Sequence, residues 1–98
     1  MTVGAGLGRL HDAGFVIAGL QAEFERDGFR VHVVLRMPGH PMLHVSRLIN
    51  DKRVFLLFAG GLERHGVFEA FDVPTAVEYA LVFAGLIVAR ELDVAVIA

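Results

Sequence analysis

The stretch that decides the fold is Phe29-Arg30-Val31-His32-Val33-Val34-Leu35-Arg36-Met37, followed by Pro38-Gly39-His40-Pro41 and by Met42-Leu43-His44-Val45-Ser46-Arg47-Leu48-Ile49-Asn50. Phe29, Val31, Val33, Leu35 and Met37 alternate with Arg30, His32, Val34 and Arg36, which is the two-residue period of a half-buried strand. Proline presets φ and glycine permits φ above zero, so 38–41 predicts a reversal. The run from Met42 then pairs antiparallel with the first. With Leu43, Val45 and Ile49 inward, Leu35 lies opposite Leu43 and Val33 opposite Val45. Burial holds that register, because a one-residue slip turns every side chain to the other face.

C-terminal to this hairpin, Asn50-Asp51-Lys52 predicts the next turn. A third strand, Arg53 to Ala59, is apolar on both faces, with Phe55, Leu57 and Ala59 on one and Val54, Leu56 and Phe58 on the other. A loop over 60–66 and a short strand over 67–71 follow. Asp72-Val73-Pro74 opens a helix running to about Glu91, with Asp72 as its cap and Pro74 in its first turn. The β-branched tail Leu92–Ala98 reads as a last strand or a docked extension.

N-terminal to the hairpin, Leu7, Leu10, Ala13, Ile17, Leu20 and Phe24 recur at three- and four-residue steps. They predict a helix over 7–27, with Asp12 an alternative start and Gly28 its left-handed stop. Residues 1–6 read as a frayed glycine-rich end. The sum is one domain, 1–98, of the α+β class. It is a two-layer α/β sandwich in the order α-β-β-β-β-α, with an antiparallel sheet and a possible C-terminal strand.

Composition removes several function classes. Hydrophobic residues make up 55% of 98 residues, too many for a disordered chain. Zero cysteines exclude a disulfide scaffold or thiolate metal site and fit a cytoplasmic protein. A formal charge of −2 argues against bulk attraction to a polyanion. The start has no basic region ahead of an apolar run, so no signal peptide is expected. The longest uncharged stretch, Tyr79–Ala89, falls short of the roughly 20 residues a spanning helix needs.

The second helix is apolar around most of its circumference, and such a helix is buried all round. If both helices share one sheet face, the other becomes an apolar patch of Val34, Met42, Leu48, Val54, Leu56 and Phe58, rimmed by Arg30, His32, Arg36 and His44. A patch of that kind marks an interface. Ala76, Ala80 and Ala84, with Gly85 and Ala89 beside them, would either fill a core or admit a close neighbour.

Chemistry-bearing motifs are sparse. Five histidines lack the spacing of a three-ligand metal site with a second shell. Protonating all of them would move the formal charge from −2 to +3, so association would respond to pH. Gly4-x-Gly6-x-Gly8 follows no strand and precedes no Lys-Ser/Thr, unlike a phosphate loop. Ser46 has His44 two residues away but no orienting acid, and Glu69 is an ambiguous carboxylate. The element order invites comparison with double-stranded-RNA-binding domains, but Pro74-Thr75-Ala76-Val77-Glu78 lacks their basic helix start.

The expectation is a non-enzymatic protein-interaction domain without cofactor or metal. It self-associates as a homodimer and binds a protein partner stoichiometrically, as an inhibitor or adaptor of the phage anti-defence or immunity type. The alternatives are a nucleic-acid module using the basic rim of the sheet, or a small ligand-binding or enzymatic domain.

Overall fold

The computed structural model describes residues 1–35, 41–60 and 72–91, and for 55–60 the backbone alone. The elements are α1 (Val3–Asp12), β1 (Val16–Ala18), β2 (Gln21–Arg26), β3 (Phe29–Val34), β4 (Met42–Ile49), β5 (Lys52–Gly60) and α2 (Val73–Val88). The five strands form one antiparallel sheet in sequence order, so the class is α+β as the sequence predicts. Gly60, expected in a loop, is the last residue of β5; the rest of that loop, 61–66, the strand at 67–71 and the tail Leu92–Ala98 lie outside the described residues, as does Arg36.

The N-terminus departs from expectation. Thr2 caps α1, its Oγ1 accepting from the Ala5 N–H at 3.1 Å. Gly6 is buried against α2, where a Cβ would stand 2.9 Å from Cγ2 of Val77. The glycine-rich start is therefore a close helix–helix contact and not a frayed end. The helix stops at Asp12, and Gly14, at φ 101°, turns the chain.

Residues 16–26, expected as helix, form a hairpin instead. Gly19 at φ 60° and Leu20 make a two-residue turn between Ala18 and Gln21, with the positive φ at the first central position. Asp27 and Gly28, at φ 55° and 84°, join Arg26 to Phe29. Both central residues have positive φ, the conformation whose twist matches flanking strands. Gly28 is thus a hairpin residue rather than a helix stop. Asn50-Asp51, at φ 52° and 64°, repeats the device between β4 and β5, where the sequence predicts a turn.

Val31 pairs with Val45 and Val33 with Leu43, two residues from the expected register. A two-residue shift preserves the faces, so burial alone does not distinguish the alternatives. Among the described residues pairing runs to Val34 and Met42, and the turn expected at 38–41 lies outside them apart from Pro41. A bulge in β5 sets Val45 opposite Leu57 and Ser46 opposite Phe55, leaving Leu56 as the extra residue.

Both helices lie on one face of the sheet, α1 over β1 and β2, α2 over β2, β3 and β4, and each against the other. Between helices and sheet, Leu10 of α1, Phe15, Val31, Val33, Leu35, Leu43 and Val45 meet Ala76, Val77, Ala80 and Ile87 of α2 in a single core. Asp72 caps α2 as predicted, accepting from the Thr75 N–H at 2.9 Å. Those hydrogen bonds hold its carboxyl below the usual range. The other end closes with Arg90 at φ 60°, the Glu91 N–H donating to the Leu86 carbonyl and the Arg90 N–H to that of Ile87. This is a Schellman ending. Among the described residues no helix is long and apolar enough to cross a membrane.

The glycines of α1 separate packing from propensity. Nothing lies within 4 Å of a Cβ built at Gly8, so Gly8→Ala raises unfolding free energy by roughly 0.5–1 kcal/mol. Gly6→Val drives methyls into buried Val77 and lowers it by roughly 1–3 kcal/mol. Urea midpoints of the two variants and the parent check both signs.

Candidate interaction surfaces

The sheet face turned away from the helices carries three cross-strand rows. Gln21, Val34 and Met42 form one, Glu23, His32 and His44 the next, Glu25, Arg30 and Ser46 the third. Arg30, His32, Val34, Met42, His44 and Leu48 therefore share a face, as the alternation predicts. Val54 does not join them. It pairs with Arg47, whose guanidinium stacks 4.8 Å from the Phe29 ring on the helix side. The bulge breaks the alternation that would have aligned Val54 with Phe58; the register sets the backbone of Phe58 opposite His44. The side chains of Leu56 and Phe58 lie outside the described residues.

Among the described residues this face is not the apolar patch expected. Glu25 Oε2 lies 3.2 Å from Arg30 and 3.3 Å from Arg53, and Glu23 Oε1 lies 3.7 Å from Arg30. Arg53 also reaches Oγ of Ser46 at 3.4 Å and the Gly28 carbonyl at 3.5 Å. Val34, Met42 and Leu48 are dispersed around a charged lattice. Glu23 and Glu25 are on this face because 21–26 is strand; a helix over 7–27 puts them elsewhere. The signal that finds them is Asp27-Gly28 between alternating residues, the strongest short hairpin motif.

The lattice also alters what the basic residues can do. Two carboxylates pair with Arg30 and Arg53, so the expected basic rim is locally balanced and offers a weak field to phosphates. His32 Nε2 sits 2.9 Å from Gln21 Oε1, and the His32 and His44 rings meet edge to face at 5.9 Å. Among the described residues no three metal-binding side chains converge. Ser46 is buried with Arg53 at its hydroxyl. Glu63 and Glu69 lie outside the described residues.

A second surface lies on the helix side. Ala76, Ala80 and Ala84 are buried, so that small-residue stripe fills the core. Away from that stripe α2 is open, with Val82 55% exposed and space beside Gly85, and at its last residue Val88 is 51% exposed. From Val88 the surface dips into an apolar groove of about 300 Å³ lined by Ala13, Phe24, Leu81, Ala84, Gly85 and Ala89. A second concavity of about 540 Å³ adjoins it, sharing Ala13, Phe24 and Val88 and extending to Val16 and the 23–26 stretch of β2. The apolar circumference of this helix, read from the sequence, thus leaves Val82 and Val88 exposed on the helix side.

No family model matches the chain, and the searches of curated proteins and of solved structures found no significant match.

The histidine pair gives a pH prediction. Burial, and then the charge of His32, push His44 below the ordinary histidine range, so the fold prefers the neutral ring. That contribution is complete above the unfolded value near 6.5 and is lost as pH falls through the lower folded value. Urea midpoints measured from pH 7.5 down to 5 therefore decline, and His44→Gln flattens part of the decline. Parallel curves for parent and variant would show that His44 carries none of it.

Proposed function

We propose that this chain is a non-enzymatic protein-interaction module that self-associates and binds a protein partner stoichiometrically through the open face of α2 and the groove beside it. The observation that carries the reading is the apolar groove that opens from half-exposed Val88 beside Gly85, with Val82 exposed further round the same helix. An interface of ordinary size needs about 800 Å² per partner. One helix face is small for that, and the groove and the adjoining concavity enlarge it. The ion pairs on the opposite face favour this side, because a partner seated there would have to desolvate Glu25, Arg30 and Arg53. An inhibitor or adaptor acting in the cytoplasm suits a cysteine-free chain.

Light scattering across a concentration series tests it. The mass rises above 10.7 kDa toward a dimer, and Val82→Glu holds it at the monomer value. Since Val82 is exposed, the variant's stability stays within about 0.5 kcal/mol of the parent. A parent that remains monomeric at high micromolar concentration refutes self-association.

A further inference from the structure

One stripe of α2 is exposed at every position. Glu78, Val82, Gly85 and Ala89 follow one another at steps of four, three and four, the spacing of the seam between two packed helices. The stripe runs for about 16 Å of helix and its C-cap. The buried stripe of the same helix, Ala76, Ala80, Ala84 and Ile87, already fills the core. The exposed one is therefore a second seam on a helix whose first seam is satisfied.

Reversed, this seam complements itself. When a second α2 lies antiparallel with its Gly85 level with Val82, its Ala89 falls level with Glu78, because both pairs are centred on the same point of the stripe. Each layer then sets a larger side chain against a small one. A Cβ built at Gly85 meets nothing within 4 Å, so Val82 of a facing copy has room there. The small residues let the helix axes approach to about 8 Å, the near end of helix-pair spacing. Charge follows the same reversal. Arg90, next to Ala89, is exposed and makes no ion pair among the described residues. Glu78 Oε1 accepts from Arg9 at 2.7 Å, and a carboxylate has acceptor capacity for a second cation. The antiparallel pair brings Arg90 of each copy to Glu78 of the other. A parallel pair instead sets Glu78 beside Glu78 and Arg90 beside Arg90.

We propose that two copies of this chain associate through antiparallel α2 helices, Val82 of each seated on Gly85 of the other and Glu78 paired with Arg90 across a two-fold axis. This pairing rests on the self-association reading above and gives it an orientation. Such an isologous contact closes at two copies. A single helix pair buries less than the roughly 800 Å² per partner of a standard interface. The dimer is accordingly weak, and its charges set orientation more than affinity.

Disulfide trapping tests the orientation. The sequence contains no cysteine, so introduced thiols report position without interference. Glu78→Cys and Ala89→Cys are made in separate full-length chains, mixed and oxidised. Both positions are exposed, so the fold tolerates them, and the mixed dimer keeps one Glu78–Arg90 pair. A disulfide joins Cα atoms within about 7 Å, so the bond between positions 78 and 89 forms in roughly ten-fold excess over those joining like positions. Like positions stand roughly 16 Å apart along the antiparallel pair. In a second measurement, Gly85→Leu raises the dimer dissociation constant roughly ten-fold or more. It does not lower the urea midpoint, because the site has space and leucine is the better helix former. Statistical yields of the three disulfides, an excess joining like positions, no disulfide at all, or an unchanged dissociation constant in Gly85→Leu each overturn the antiparallel pair. Light scattering separates that failure from failure of the reading beneath it. A parent that dimerises and a Val82→Glu variant that does not leave α2 as the interface in another orientation, whereas a monomeric parent removes both.

Discussion

The structure depends on a strip of complete burial across the middle of the sheet. Val31, Val33, Leu43 and Val45 are 0% exposed, and each is separated from the next inward residue by one that is not. Two helices on the same face achieve this, and they achieve it only there. Burying a Val or Leu side chain contributes about 1.5–3 kcal/mol, so the pattern strongly penalises any odd-numbered slip. Once that strip is fixed, the opposite face must be finished by other means, and the helices must solve their own outward surfaces.

The opposite face is finished with charge. Glu25 sits between two arginines from different strands, and Arg53 ties the β2–β3 turn to Ser46 on β4. Exposed ion pairs taken singly contribute little, about 0–1 kcal/mol. Their arrangement matters more for register, because a displaced β2 would leave Arg30 and Arg53 without Glu25. Polar specificity on one face thus complements apolar burial on the other. It supplies what burial lacks, since burial alone tolerates a two-residue shift of β3 against β4.

The legibility of the sequence follows the strength of its local signals. The β3 and β4 alternation, the Asn50-Asp51 turn and the Asp72 cap are local and unambiguous. Residues 7–27 are not, because Leu10, Ile17, Leu20 and Phe24 satisfy a helical spacing by coincidence. Leu20 stands in a turn, while Ile17, Ala22 and Phe24 face the helices as strand residues. Two-residue turns at Gly19 and at Asp27-Gly28 overrode the helical period, and treating Gly28 as a helix stop concealed the second. The β5 bulge has no comparable mark. It moves Val54 to the helix side, and nothing between Val54 and Phe58 announces it. A helix over 7–27 also takes Glu23 and Glu25 off the outer face, and with them the ion pairs they make there with Arg30 and Arg53.

What remains is the surplus of apolar side chains. α1 resolves its outward surface conventionally, with Arg9, His11 and Asp12 exposed and Arg9 bridged to Glu78 at 2.7 Å. α2 does not. Its outward middle carries Val82 and Gly85, and it ends on half-exposed Val88. A solvated helix of this length commonly places charges there, since neither packing nor propensity requires valine on an open face. Valine is a poorer helix former than lysine or glutamate, so helix stability does not account for Val82 or Val88. The groove at Val88 has the same character, with Phe24 and Leu81 partly buried beside open space. Among the described residues, Val82 and the apolar groove at Val88 leave burial unmet on the helix side, and an account of the function must explain that side.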